Sequence, residues 1–307
     1  SSLGLKVWGE FRPRGILGMG QCQGAARPEG EDIFFVPETS VWLQARSYTK
    51  FGWKKDLPDY RDRILVLPQK KTGTLPKTVD LRPKAGFPVY EQGDLGSCTA
   101  NATASALQLD QLRRGVKNLE PSRLFIYYSG RSIDNNMDID AGSYIRDCLK
   151  SLAKVGVCPE SSWPYEVERF ADRPTSKCYT VAFKHRIKEY ARVPQTLPDL
   201  KACLNEGFPI VFGFMVLQSF MAKAVAETGE MGMPQRNDEV LGGQAVVAVG
   251  YDDNREAFLV RNSWGADWGL KGYFYMPYAF ITWDQLASDF WAIKATGDGA
   301  EFPTKKL

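Results

Sequence analysis

Histidine is almost missing: His185 is the single example in 307 residues. A metal site built on several histidines is thereby excluded, and no Cys-x-x-Cys spacing offers a thiolate substitute for zinc. No apolar run approaches the roughly 20 residues that a membrane span needs. Charge of one sign is not in excess either. There are 39 Lys and Arg against 36 Asp and Glu, a formal net charge of +3, which argues against a nucleic-acid or other polyanionic partner. Six cysteines in a chain this long do not make a disulfide framework. No internal repeat is visible, no cofactor is expected, and no compartment is legible. What remains is ordinary globular material, 44% hydrophobic and 24% charged, long enough for one large domain or two smaller ones.

The chain is organised around Gln92-Gly-Asp-Leu-Gly-Ser-Cys98 and the residues after it. Gly93 and Gly96 permit tight turns. Ala100, Ala102, Ala104, Ala106, Leu107 and Leu112 then make a run of good helix formers, small enough to pack closely. Cys98 falls in the first turn of that helix, where free N–H groups and the helix dipole favour a thiolate. Gln92 stands just upstream, where its amide can donate toward an oxyanion developing beside the sulfur. A buried structural cysteine under a loop is the plainer alternative. Far downstream stand Gly242-Gly-Gln-Ala-Val-Val-Ala-Val-Gly-Tyr251 and Phe258-Leu-Val-Arg-Asn-Ser-Trp-Gly-Ala-Asp-Trp-Gly269.

Together these blocks resemble the papain family of cysteine proteases, in particular its bacterial-type branch, over roughly residues 75–295. The resemblance rests on Gln92, Gly96-Ser97-Cys98, Asn262-Ser263-Trp264-Gly265, Trp268-Gly269 and Gly272-Tyr273. It implies an α+β, papain-like two-lobe fold, with a helical lobe on the Cys98 helix and a β-barrel-like lobe carrying residues 244 and 262. It also implies Cys98 as nucleophile, Gln92 as oxyanion donor and Asn262 as orienting residue. Peptide would be bound by Gly142, Ser143, Trp264, Gly242 and Gly243. One position departs. The family carries its general-base histidine in a Gly-His-Ala context, and here that context reads Gly243-Gln244-Ala245. Its offset from Cys98, 146 residues (244 − 98), lies within the roughly 130–150 expected of that histidine. An amide cannot accept and return a proton near neutral pH.

The rest is read around this site. Residues 1–48 look like a small β-rich extension, either a module binding the cleft or a protein partner, or a packing appendage. Residues 49–74 include Phe51-Gly-Trp-Lys-Lys-Asp-Leu-Pro-Asp-Tyr-Arg-Asp62, which is similar to the pro-segment or strap preceding the catalytic domain in bacterial relatives. Residues 75–307 form the protease-like domain. Asp134–Gly142 reads as a solvated acidic loop, with its end forming one wall of the cleft. Residues 144–155 are apolar at helical spacing and end at Gly156. Residues 179–193 alternate like a strand; the resemblance implies that this strand opens the second lobe, with His185 remote from Cys98 rather than a substitute base. Gln218–Asp238 reads as one long loop. The resemblance also suggests a Cys158–Cys178 bridge. Three functions follow: a pseudoprotease holding peptide or protein in its cleft, a cysteine endopeptidase seen inactivated or as a zymogen, or a structural subunit anchored by its extension.

Overall fold

The computed structural model describes residues 50–67, 75–84, 86–115, 119–294 and 303–306. The expected β-rich extension and most of the linker after residue 67 lie outside these residues. Two short strands come first, β1 (Trp53–Lys54) and β2 (Arg63–Leu65), then β3 (Thr78–Asp80). The helical part follows, with α1 (Cys98–Arg113), α2 (Arg123–Ile133), β4 (Ser143–Tyr144), α3 (Ile145–Lys154) and α4 (Ser176–Ala182). Next come β5 (Glu189–Arg192), α5 (Leu197–Asn205), β6 (Ile210–Leu217) and α6 (Lys223–Thr228). The chain finishes with β7 (Val240–Asp252), β8 (Ala257–Arg261), β9 (Tyr273–Pro277), α7 (Tyr278–Ile281), β10 (Ala287–Lys294) and β11 (Thr304–Lys306).

The α1 helix is buried from Cys98 to Gln111 although many of its residues are polar. Its alanines let neighbouring elements approach, and its polar side chains bond locally. Thr103 Oγ1 donates to the Thr99 carbonyl at 2.6 Å, and Asn101 Nδ2 to the Ser97 carbonyl at 3.0 Å. Ser122 caps α2 by accepting from the Phe125 N–H. Gly156, at φ +85°, follows α3 as expected.

The larger sheet runs β11-β2-β5-β10-β6-β7-β8-β9, with β3 added along β7. Its end strands do not pair with one another, so the β-rich part is an open sheet and not a closed barrel. Its central strands β6, β8 and β10 are buried almost throughout, as their apolar sequences require. Phe214, Phe220, Trp264, Trp268, Phe274 and Phe280 pack at ring separations from 5.0 to 6.2 Å. This aromatic cluster fixes the loop that follows β8.

Three expectations change. Residues 179–182 belong to α4, and His185 lies on a single 3-10 turn behind it. Val181 and Phe183 gave the stretch a strand-like look, but Thr175 caps a helix there through the Cys178 N–H. Gln218–Asp238 is not one loop, since it contains α6. Cys158 and Cys178 are buried free thiols and no bridge joins them; Cys178 Sγ instead lies 3.2 Å from Thr175 Oγ1.

Arg131 organises the 134–142 loop. Its guanidinium is buried and donates to the carbonyls of Tyr127, Asn136, Met137, Ile139 and Phe170. Arg131→Met would take a buried donor away from these carbonyls and is expected to cost about 3–5 kcal/mol. Urea denaturation reads this as a lower midpoint, and an unchanged midpoint would show that the loop holds itself.

Candidate active site

Gly93, at φ +58°, turns the chain after Gln92 and delivers Ser97 as the cap of α1. Gln92 is buried and uses its whole amide. Its N–H meets the Ser263 carbonyl at 2.9 Å. Its Oε1 accepts from Gln244 Nε2 at 2.9 Å and from Ser263 Oγ at 2.7 Å. Its Nε2 donates to the Leu95 carbonyl at 3.0 Å and the Lys50 carbonyl at 3.3 Å. Gln92 therefore ties the loop before α1 to β7 and to the turn after β8.

Gln244 lies inside β7, paired with Phe214 of β6. Asn262 directly follows β8. The two side chains meet, with Gln244 Nε2 donating to Asn262 Oδ1 at 3.3 Å and to Ser263 Oγ at 3.4 Å. Gln244 Oε1 and Asn262 Nδ2 are buried without a partner among the described residues. An orphaned acceptor and an orphaned donor within one small cluster are costly, so this polar pocket is not optimised for an amide at residue 244.

Cys98 opens α1 as expected and is fully buried. Burial pushes its thiol up to about 11, although the backbone N–H groups of Ala245 and Gly52 favour the thiolate. The expected benefit of the helix end is outweighed by desolvation. At neutral pH the sulfur is a thiol.

The burial comes partly from residues 50–53. Gly52 passes between Gly96 and Gly142. A Cβ on Gly52 would stand 1.7 Å from the Gly96 carbonyl oxygen, and one on Gly142 2.2 Å from the Gly52 oxygen. The Gly52 carbonyl accepts from the Ser143 N–H at 2.8 Å, and β1 pairs in parallel with β4. Phe51 packs on Gly242 and lies 6.4 Å from the Trp264 ring. Trp53 lies across Gly213 and Gly243. Every position singled out for peptide contact, Gly142, Ser143, Trp264, Gly242 and Gly243, is thus met by residues 51–53.

Two residues missed in the sequence brace the site. Asp140 accepts from the Gly96 N–H at 3.0 Å and from the Tyr127 hydroxyl at 2.5 Å, and pairs with Lys50 at 3.3 Å. Its acidic loop read as solvated because its charges are dense, and only the glycine after Ala141 hinted at a tight approach. The Tyr165 hydroxyl reaches the Gln92 carbonyl at 2.8 Å and the Ser97 hydroxyl. His185 is elsewhere, beside the segment whose Ile187 N–H meets the Leu152 carbonyl at the end of α3. Among the described residues no group of three or more His, Cys, Asp or Glu is placed to hold a metal.

Alkylation of Cys98 by iodoacetamide, followed by peptide mass spectrometry, is expected to be very slow at pH 7 and to rise with a midpoint near 11. In Gln244→His the midpoint moves toward acid, because an imidazolium stabilises the thiolate. Equal profiles would place residue 244 out of electrostatic reach of the sulfur.

The family model described as "Papain family cysteine protease" matches residues 75–285. An uncharacterized peptidase C1-like protein of Acanthamoeba polyphaga mimivirus is 39% identical over 272 residues, covering 81% of this chain and 88% of its own. Pro-cathepsin H of Bos taurus is 28% identical over 215 residues, and the match spans 60% of that protein. The crystal structure of xylellain, a cysteine protease from Xylella fastidiosa, has 42% identity and a TM-score of 0.76, covering 82% of this chain and 98% of that one. Procathepsin L 3 of Tenebrio molitor, at 20% identity and a TM-score of 0.63, shares the fold over 82% of this chain and 78% of its own. With the Cys98 helix, the Asn262 turn and the cleft between them already in place, the chain belongs to the papain family of cysteine proteases.

Proposed function

We propose that this chain is a papain homologue of the bacterial type, disarmed at its general-base position, whose cleft holds peptide without cutting it. The observation that carries this reading is the hydrogen bond from Gln244 Nε2 to Asn262 Oδ1. A base histidine at residue 244 would give its own ring N–H to Asn262, leaving the other ring nitrogen for the sulfur. Glutamine keeps the first bond and lacks the second function. Peptide hydrolysis needs a base to take the Cys98 proton and an acid to return it to the leaving amine. With no such group, Cys98 stays protonated, and loss of one member of the unit costs about 10⁴–10⁶ in rate.

The roles of Cys98 as nucleophile, Gln92 as oxyanion donor and Asn262 as orienting residue belong to the same reading. The cleft already holds a peptide of sorts, because residues 51–53 lie against Gly142, Ser143, Gly242, Gly243 and Trp264. The Lys50 carbonyl also takes the Gln92 amide that would serve an oxyanion. These contacts favour a second reading, a latent protease closed by residues 49–74 as a strap. The two readings are compatible: one concerns the proton, the other access. In both, the protease-like domain spans residues 75–307, and residues 1–48 are a separate extension.

Peptidase activity on a mixed fluorogenic peptide library separates them. The chain as given is expected to cut nothing. Gln244→His is expected to cut once the strap is loosened by Trp53→Gly, with the single Gln244→His variant slower than the double. Cleavage by the unaltered chain at a rate typical of cysteine proteases would overturn the disarmed reading. Equal rates for the single and double variants would overturn the strap.

A further inference from the structure

Behind Trp53 the segment 50–67 is fastened by a buried cluster of charges. The segment contributes Asp56 and Asp62. The body contributes Arg146 from α3, Arg192 from β5 and Asp289 from β10. Asp62 takes a two-pronged grip from Arg146 at 3.0 and 2.7 Å, and a further bond from Arg192 Nε at 2.6 Å. Arg192 also reaches Asp56 at 3.1 Å and Asp289 at 3.5 Å. Asp56 Oδ2 accepts the Trp291 indole N–H at 2.9 Å, while the Arg146 N–H lies 3.4 Å from Oδ1. Asp289 Oδ2 accepts the Asp56 N–H at 2.7 Å and the Trp53 indole N–H at 3.1 Å.

Two features make this a built device. Asp289 has φ +60° and sits where the β10–β6 register shifts between Ser288 and Trp291. That is a bulge, which re-aims a side chain at a backbone cost that ordinary pairing would avoid. Here it aims a carboxylate at the segment. The charges also do not balance. Three carboxylates face two guanidinium groups, and Asp56, Asp62, Asp289 and Arg146 are each at most 8% exposed. Docking the segment therefore buries one negative charge in excess, next to another carboxylate.

We propose that this cluster is the latch of the strap and that the latch closes more tightly as the medium turns acidic. The inference rests on reading residues 50–67 as a strap over Cys98. When docked, Asp56 is pushed up to about 6, first by burial and then by Asp289, against the opposing Arg146, Arg192 and Trp291. When released into water it returns to the ordinary carboxylate value of 3.8. The docked form thus binds the proton more strongly. Its advantage is full below the released value and is lost as pH rises through about 6. The other group facing Asp56 is Tyr144 of β4, whose hydroxyl is held above its usual range and stays neutral here. Asp147 of α3 faces Lys150, Asp134 and Arg146 instead. The remaining charged contacts of the strap, Lys54 to Asp134, Lys150 to Asp59 and Lys50 to Asp140, lie apart from the cluster.

Hydrogen exchange on the full chain tests this, with rates corrected for the intrinsic effect of pH and the amides of β6 and β7 as the folding control. Between pH 7.5 and pH 5.0, protection of the amides of residues 52–56 is expected to rise roughly tenfold. In Asp56→Asn, which keeps an oxygen acceptor and removes the excess charge, that dependence vanishes and protection at pH 7.5 exceeds that of the unaltered chain. Asp289→Asn, which leaves the buried Asp56 carboxyl titrating, is expected to weaken the dependence without abolishing it, and serves should the first variant fold poorly. Protection that falls on acidification, or a dependence that survives both substitutions undiminished, overturns the latch while leaving the strap in place. Unprotected strap amides at both pH values overturn the strap reading, and the latch with it.

Discussion

Three glycine backbones cross beside one sulfur, and the site's present state depends on that crossing. Gly52 threads between Gly96, which leads into α1, and Gly142, which leads into β4. No side chain fits at Gly52 or Gly142 without moving backbone, because the nearest atoms there are backbone carbonyls and Cα atoms, while a Cβ on Gly96 would press on the Asp140 carboxylate at 3.0 Å. The approach brings the Gly52 N–H against Cys98 and shuts water out. The elevated thiol, the occupied Gln92 amide and the filled hollow over Gly243 all follow from this one close passage.

The Gln244 cluster is a set of buried side chains held together by hydrogen bonds that leave two polar atoms unpaired. Gln92, Gln244, Asn262 and Ser263 remain joined by hydrogen bonds of 2.7 to 3.4 Å. These bonds still clamp the loop before α1 to β7 and to the turn after β8. The misfit is confined to two orphaned atoms, Gln244 Oε1 and Asn262 Nδ2. Buried unpaired groups cost about 1–3 kcal/mol each, which a sheet and an aromatic cluster of this size can absorb. Geometry alone therefore does not reveal that a proton carrier is missing. The side chain's chemistry does.

Much of this could be read from the sequence because its signals are local. The alanines after Cys98 specify a closely packed helix, the glycines around Gln92 specify turns, and the Asn262-Ser263-Trp264-Gly265 block fixes one site-bearing turn. Gln244, which the resemblance put at the base position, lies beside Asn262. What escaped was non-local. Asp140 looked solvated because a charge-rich loop gives no hint that the Gly96 N–H and the Tyr127 hydroxyl converge on one carboxylate. Tyr165 gave no sign that its hydroxyl reaches back to Gln92. Residues 179–185 misled, while 189–192 do form strand β5, because alternating apolar residues over a few positions also suit a helix packed on one side. Asp289 was invisible, since a bulge is a property of register between strands and leaves no composition signal.

In the proposed reading, access and proton transfer are separate controls that act on the same thiol. With the strap docked, desolvation holds the Cys98 proton in place whatever stands at residue 244. With the strap gone, water and the N-terminus of α1 lower the cost of the thiolate, yet the leaving amine still has no acid to draw on. Strap release without a base yields a reactive cysteine and no turnover. A base under a closed strap faces a thiol in a dry crevice, with the Gln92 amide already taken by the Lys50 carbonyl. Only both changes together restore a nucleophile, an oxyanion donor and a returning proton. The cleft itself does not depend on a base at residue 244, because the positions set against residues 51–53 are Gly142, Ser143, Gly242, Gly243 and Trp264.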